Sequence, residues 1–293
     1  MRELCSTALE MDIETAYVRE LIQRRSLVPD FSKVVSPLWP FPVKISTFGQ
    51  FGLFINENPL QSLGKTQKKP LELLKAIIAF GGKEVDECAL ADAVWPDAKA
   101  EPKSVLKINV HRLRKILVQE NAIVHQEGTV SLDPRLCWID LWTFNQLISE
   151  ANSILNQPHQ SRNGEGTAAA LDRIDDQILS LYRGHFLEQE KNLIWTITPR
   201  EILRKVFLNY LLRAGKYWEE ARLWEKAIDA YNRGLNIDSM AEPLYQSLMT
   251  CYLKLNRRAE ALATYQHCHN LFQGVLRIPP SPETEAVYRQ LFK

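Results

Sequence analysis

The sequence predicts an α+β module followed by an all-α module. Apolar and polar residues alternate from Val43, as is typical of strands, and apolar residues at helical spacing follow from Gln67. In the later half of the chain the helical pattern repeats at an interval of 34 residues. A chain of 293 residues is long enough for two hydrophobic cores, so each module can have its own.

The composition excludes several classes of protein. The 36 basic and 35 acidic side chains nearly cancel, so any nucleic-acid interface has to come from local patterning. No apolar run approaches the roughly 18 residues of a membrane helix, and no signal peptide opens the chain. The five cysteines are scattered without a C-x-x-C pair, which argues against disulfides and zinc. We therefore expect a cytoplasmic protein without a membrane partner.

An arm and a proline-rich linker precede the first module. Within the arm, Met11–Leu27 predicts a short helix with Val18, Leu21 and Ile22 on one side. A helix of this length is marginal alone. The arm is therefore interpreted either as docked on the rest of the chain or as the remnant of something larger.

The element order after the arm predicts a winged helix. The segment VKISTFGQFGLFIN predicts a small antiparallel sheet, and Gln67–Phe80 predicts a helix. Asp86 can cap a second helix, residues 102–119 predict a third, and a hairpin turns at Glu127-Gly128. This order of sheet, three helices and hairpin is that of a winged helix-turn-helix. In that motif the last two helices form the helix-turn-helix pair, and the second of the pair, here the third helix, lies in the DNA major groove.

The third helix is strongly basic. Residues 102–119 contain five Lys and Arg side chains and no acid. Basic residues and the apolar Ile108 lie opposite an apolar stripe at helical spacing. Such a face matches the DNA major groove, where Lys and Arg bind phosphates or guanine and an aliphatic group meets a thymine methyl. The alternative is a solvated basic surface. The stripe is formed by Leu106, Val110, Leu113 and Leu117.

Two motifs give this module a family resemblance. WPDA at residues 95–98 and INVHRLRKIL at 108–117 resemble the OmpR-type DNA-binding domain, in the variant found in the SARP group of bacterial transcriptional activators. The resemblance implies that the third helix lies in the major groove and that the wing touches the DNA backbone or minor groove. One departure is Gly128-Thr129-Val130 at the wing tip, where many OmpR-type wings carry a Gly-Tyr pair.

The same resemblance implies roles for individual residues. Lys65, Lys83 and Lys103 are assigned to solvent, although Lys103 lies near the expected phosphate path. Lys68 and Lys69 stand at a helix N-terminus, whose partial positive charge favours anions. The residues assigned to phosphate contacts are Lys68, Lys69, Arg114 and Thr129. The residues assigned to base reading are Ser104, Lys107, Ile108, His111, Arg112 and Lys115.

A repeat organises the second module. Ala227-x3-Tyr231 recurs 34 residues later as Ala261-x3-Tyr265, which is the tetratricopeptide (TPR) pattern. The small residue lets two helices approach closely, and the aromatic ring fills the space beside it. Two copies are fewer than the roughly three that stabilise a free array, so flanking helices must complete it. The candidates are Leu141–Leu155, Ala168–Leu181, Pro199–Leu212 and a last helix begun by Ser281-Pro282.

Further motifs extend the resemblance along the chain. LSLYRGHFL at residues 179–187 and RIPPSPETEAVYRQLF at 277–292 resemble the bacterial transcriptional activator domain (BTAD) of SARP-like regulators. Residues 9–29 resemble the segment before such a module in MalT-like ATP-dependent regulators, which raises the possibility that the chain is the C-terminal part of a longer protein. The predicted domains are an arm and linker at 1–42, an OmpR-type winged helix at 43–137 and a TPR-like activator domain at 138–293.

The function implied is sequence-specific activation of transcription. The implied partners are double-stranded promoter DNA with directly repeated half-sites, RNA polymerase and a second copy of the chain. Two alternatives stay open. The chain could be an adaptor whose repeat groove binds a peptide, with the basic helix only a solvated face. It could also be a regulator whose repeat module senses a ligand and gates DNA binding.

No motif predicts an enzyme. The sequence has no G-x-S-x-G, no H-E-x-x-H and no glycine-rich phosphate loop, so no cofactor is expected. His267-Cys268-His269 resembles a metal cluster, but neighbouring residues of a helix face different directions, so no metal site is predicted. The polar segment at residues 156–166 predicts a mobile loop.

Overall fold

The protein was analysed as a computed structural model that describes residues 1–60, 67–96, 101–157, 165–190 and 192–292. The chain forms two compact units. The first unit comprises Met1–Glu150 and Arg173–Glu201, and the second comprises Ala151–Asp172 and Ile202–Lys293. Most of the described residues are helical, and the strands lie in the first unit. Among the described residues, no helix combines the length and apolar character needed to cross a membrane.

The N-terminal arm forms two helices within the first unit. The sequence predicts one helix over Met11–Leu27, whereas the structure has α1 (Arg2–Glu10) and the shorter α2 (Thr15–Arg24). Left-handed backbone at Asp12 and Glu14 separates them. The arm is docked because its apolar faces share one core with the linker and with Trp138. That core consists of Cys5, Leu9, Val18, Ile22, Val35, Trp39, Phe41 and Trp138.

The first sheet follows the linker. β1 (Val43–Ser46) pairs antiparallel with β2 (Gly52–Ile55), which pairs antiparallel with β3 (Asn58–Pro59), as the alternating pattern predicts. A short strand that the sequence did not predict, β7 (Cys137–Ile139), joins the free edge of β1 in parallel. All three residues of β7 are buried, so the strand lacks the alternation by which β1 and β2 are recognised.

Three helices pack together beside a second sheet. They are α3 (Lys68–Ala79), α4 (Glu87–Val94) and α5 (Pro102–Leu117). The Asp86 side chain accepts a hydrogen bond from the Ala89 amide at 2.8 Å and so caps α4, as predicted. The second sheet has the order β4-β6-β5 and is antiparallel throughout. Its strands are β4 (Val85–Asp86), β5 (Ile123–Gln126) and β6 (Thr129–Leu132), with the β5–β6 turn at Glu127-Gly128.

A buried carboxylate ties the first sheet to the helix that follows it. Asp140 begins α6 (Asp140–Leu155) and accepts hydrogen bonds from the Thr47, Phe48 and Leu141 amides and from the Thr47 hydroxyl. Burial raises the pKa of Asp140, although these hydrogen bonds oppose the shift. Asp140 therefore fixes α6 on the end of β1.

The remaining helices follow the predicted order. Ser281 caps the last helix, whose Thr284 amide it binds. Residues 158–164 of the predicted mobile loop lie outside the described residues. The helices are α7 (Glu165–Leu181), α8 (Ile197–Glu220), α9 (Trp224–Ile237), α10 (Glu242–Lys254), α11 (Arg258–Leu271) and α12 (Pro282–Arg289).

Three of the four repeat residues are buried in the second unit, namely Ala227, Tyr231 and Ala261, whereas Tyr265 is half-buried. Ala227 and Ala261 are completely buried, and α10 packs against both α9 and α11. A Cβ added to Gly215 would lie 2.3 Å from Cε1 of Tyr231, so the glycine is what lets the ring pack on α8. Gly215 on α8 and Tyr231 on α9 thus pack against each other. That the helices of this unit form a TPR-like array remains a prediction.

Candidate nucleic-acid interface

Helix α5 is held in place by one buried side. Leu106, Val110, Leu113 and Leu117 are almost completely buried, and α5 packs against both α3 and α4. Because these residues lie four, three and four positions apart, they form one stripe along the helix. The stripe fixes which residues of α5 face solvent.

The other side of α5 presents every residue that the resemblance assigned to base reading. Ile108 keeps 53% of its surface exposed among cationic neighbours. The Ser104 hydroxyl donates to Oε2 of Glu101 at 3.2 Å. Within the part of the chain that the structure describes, no ion pair involves Lys107, Arg112 or Lys115. The exposed set is Ser104, Lys107, Ile108, His111, Arg112 and Lys115.

The β5–β6 hairpin is bonded to α5. Nε and Nη2 of Arg114 both donate to the Ile123 carbonyl, at 3.2 and 2.8 Å. Arg114, assigned to a phosphate, is therefore half-buried and binds the hairpin with two of its nitrogens. The Thr129 hydroxyl donates to the Gln126 carbonyl at 3.0 Å, which closes the hairpin turn. Both residues thus have structural partners besides their predicted role.

A cleft of about 620 Å³ lies between α5 and the hairpin. Its cations are Arg114 and Lys115 on α5 and Arg135 after the hairpin, and its lining also includes His111, Glu120 and Asp133. Arg135 forms a two-pronged ion pair with Asp133, and its guanidinium lowers the pKa of that carboxyl. The cleft and the exposed face of α5 form one predominantly cationic surface, which is suited to a polyanion.

The two lysines predicted to bind phosphate at α3 differ in their surroundings. Both are exposed in the first turn of the helix. Nζ of Lys69 donates to the Val94 carbonyl at 3.2 Å and pairs with Glu72 at 2.9 Å. Lys68 has no ion pair within the described residues. Lys65 lies outside the described residues, as do Asp97 and Ala98 of the WPDA motif.

The structure also brings together three side chains that the sequence did not connect. Glu87, the first residue of α4, binds His125 Nε2 with one carboxylate oxygen and Lys103 Nζ with the other, each at 2.9 Å. Hydrogen bonds from His125 and then Lys103 lower the pKa of Glu87. The Lys103 side chain is half exposed to solvent, and the sequence did not predict its ion pair with Glu87. The residues are 16 and 38 positions from Glu87, so no local pattern could have linked them.

The side chains of the His267-Cys268-His269 segment differ in their burial. Cys268 is buried, which raises the pKa of its thiol to about 12, while His267 is exposed. Among the described residues, no three His, Cys, Asp or Glu side chains are grouped as metal ligands.

Comparison with known proteins places this chain among bacterial regulators. Residues 139–292, more than half of the chain, match the family model of the bacterial transcriptional activator domain. The chain belongs to this BTAD family. The predicted SARP-like resemblance is thereby confirmed, whereas the resemblance of residues 9–29 to MalT-like regulators stays a prediction.

Two relatives extend the match beyond the BTAD. The regulatory protein AfsR of Streptomyces griseus is 23% identical over 237 residues, which cover 80% of this chain and 23% of AfsR. The structure of Mycobacterium tuberculosis EmbR in complex with a low-affinity phosphopeptide has a TM-score of 0.65 at 17% identity. That match covers 86% of this chain and 65% of EmbR, and it shows a shared fold. The chain thus spans less than a quarter of AfsR. The matched family model describes a bacterial transcriptional activator domain, so residues 139–292 belong to a family of transcriptional regulators.

Proposed function

We propose that the chain is a sequence-specific DNA-binding transcriptional activator. The observation that carries the proposal is the division of α5 into a fully buried apolar stripe and an opposite face of exposed cations around an exposed isoleucine. In this proposal residues 43–137 of the first unit form an OmpR-type winged helix-turn-helix, α5 is its recognition helix and the β5–β6 hairpin is its wing. Arg and Lys fork onto guanine, and Ile108 contacts a thymine methyl.

Phosphate contacts hold the protein in register on the DNA. Lys68 and Lys69 at the start of α3 lie where the helix N-terminus adds its own positive potential. On the hairpin side of α5, Arg114 borders the cleft and Thr129 lies at the wing turn. These contacts supply affinity for any sequence, whereas the exposed face of α5 supplies the preference among sequences.

The helical second unit serves protein contacts in this proposal. Its TPR-like packing of small and aromatic residues leaves the outer surfaces of the helices for partners. As the BTAD family is one of transcriptional activators, we assign to this unit a contact with RNA polymerase and with a second copy of the chain on directly repeated half-sites.

The first experiment is a selection of genomic DNA fragments by the purified chain, followed by titration of the best fragment at several salt concentrations. We expect an enriched motif, present as a direct repeat, that binds at least about a thousandfold more tightly than random DNA. Affinity should fall steeply with salt because bound phosphates release counterions.

A double variant tests whether α5 is the reading surface. Arg112→Ala with Lys115→Ala should abolish the preference for the selected fragment. The matched control Lys254→Ala with Arg258→Ala, two exposed cations of the second unit, should leave it unchanged. Equal binding by both double variants would remove α5 from the interface and favour the adaptor function.

A further inference from the structure

The carboxylate of Glu87 lies where the start of α4, the first turn of α5 and hairpin strand β5 meet. Glu87 is 7% exposed and stands at the start of α4. One carboxylate oxygen binds His125 on hairpin strand β5, and the other binds Lys103 in the first turn of α5. The Glu87 amide also donates to the Gly128 carbonyl at 2.9 Å, in the hairpin turn. One residue thus holds the wing and the start of α5 together.

Lys103 is set apart from the other cations of α5 by this contact. Its side chain is half exposed, yet its ammonium group is neutralised by Glu87 at 2.9 Å. Lys107, Arg112 and Lys115, by contrast, form no ion pair with any residue that the structure describes. The first turn of a recognition helix lies against the DNA, so an unpaired lysine there, with its long flexible side chain, would reach a phosphate of any sequence.

We propose that Glu87 is a specificity-determining residue, which withholds Lys103 from the DNA backbone and holds the wing and the first turn of α5 in one orientation. The inference rests on the proposed function. Withholding one lysine lowers affinity for all DNA, since general binding scales with the number of phosphate contacts. The fixed orientation favours the selected sequence alone, because only base reading by Ser104 and Lys107 depends on where the first turn lies.

The proposal predicts how four variants change binding of the full chain to the selected fragment and to random DNA. In Glu87→Gln, Lys103 is released, so the plot of log affinity against log salt for random DNA should become steeper by about one unit. Affinity for random DNA should rise several-fold at low salt. Preference for the selected fragment over random DNA should fall by about tenfold, which corresponds to the weakening of one base contact.

Lys103→Met should leave the salt slope of the wild type unchanged, because the lysine does not touch DNA there. Combining Glu87→Gln with Lys103→Met should return the steeper slope of Glu87→Gln to the wild-type value. Glu84→Gln is the matched control, since Glu84 is an exposed acid three residues away and its removal changes the charge equally. It should leave both slope and preference at wild-type values.

A fall in slope by about one unit in Lys103→Met would overturn the proposal, because Lys103 would then bind a phosphate in the wild type. An unchanged slope and preference in Glu87→Gln would overturn it as well. Loss of folded protein lowers specific and general binding by one common factor, so it cannot imitate a change in their ratio. If Glu87→Gln does not fold, the Lys103→Met slope still decides. Wild-type protein without sequence preference would instead contradict the proposed function.

Discussion

Helices α5 and α8 differ in how burial is distributed around them. In α5 burial is confined to one stripe, and the rest of the helix is exposed and basic. In α8 neighbouring residues are buried in pairs, Ala214 with Gly215 and Tyr217 with Trp218, so that burial extends around the helix. Packing therefore determines most of α8, whereas it leaves the exposed face of α5 free for binding. A substitution in α8 should change stability, and one on the exposed face of α5 should change DNA binding.

The largest expected effect is a loss of stability caused by a substitution in the packed helix α8. Trp218 is almost completely buried, and its ring meets Tyr217 edge-on at 4.9 Å between centroids. Trp218→Ala should lower the free energy of unfolding by about 3–5 kcal/mol, because it removes a large buried ring and leaves a cavity. Chemical denaturation followed by circular dichroism measures this loss. The control Ile194→Ala, at a position that is 83% exposed, should stay within about 0.5 kcal/mol of wild type.

Two glycines, Gly215 and Gly234, test how rigidly the side chains around α9 are packed. A Cβ at Gly215 would meet the rigid ring of Tyr231 at 2.3 Å, whereas a Cβ at Gly234 would meet the flexible end of Leu244 at 2.5 Å. Gly215→Ala should therefore cost about 1–3 kcal/mol of unfolding free energy through overpacking. Gly234→Ala should be nearly neutral, because Leu244 can move and alanine improves helix propensity by about 1 kcal/mol. Equal effects in thermal melts would show that ring rigidity does not control the α8–α9 contact.

Arg112 tests the exposed side. Arg112→Ala should leave the unfolding free energy within about 0.5 kcal/mol of wild type, because the side chain is exposed. It should weaken binding of the selected fragment by about 1–3 kcal/mol and relax the preference at one base position. Titration against a set of single-base variants of the fragment measures both effects. A large loss of stability with unchanged base preference would place Arg112 with the packed residues instead.

Local signals in the sequence predicted much of this fold. The cap at Asp86, the turn at Glu127-Gly128 and the spacing of Ala227 and Ala261 each depend on residues close in the chain or on a regular period. The structure agrees with them because short-range geometry and burial act in the same direction there. Helix α1 and strand β7 were missed, since α1 is anchored through a distant core and β7 has no alternation.

The candidate interface was predictable only in part for the same reason. Helical periodicity identifies which residues of α5 are exposed, and the structure exposes all six that the resemblance assigned to base reading. Helical periodicity cannot show that Arg114 binds the Ile123 carbonyl or that Lys103 binds Glu87, because only tertiary packing brings these partners together. Charge on a helix face is therefore readable from sequence, whereas the availability of that charge for DNA is not.

Lys68 and Lys69 give the smallest effect and test this availability directly. Lys68→Ala should weaken binding to all sequences alike and flatten the salt dependence by about one unit, because one phosphate contact is lost. Lys69→Ala should flatten it by less, since Glu72 at 2.9 Å and the Val94 carbonyl at 3.2 Å already hold the Lys69 amine. Titrations of random DNA at several salt concentrations measure both slopes. A larger effect at Lys69 would mean that DNA displaces Glu72, and that an ion pair in the free protein does not keep a lysine from the backbone.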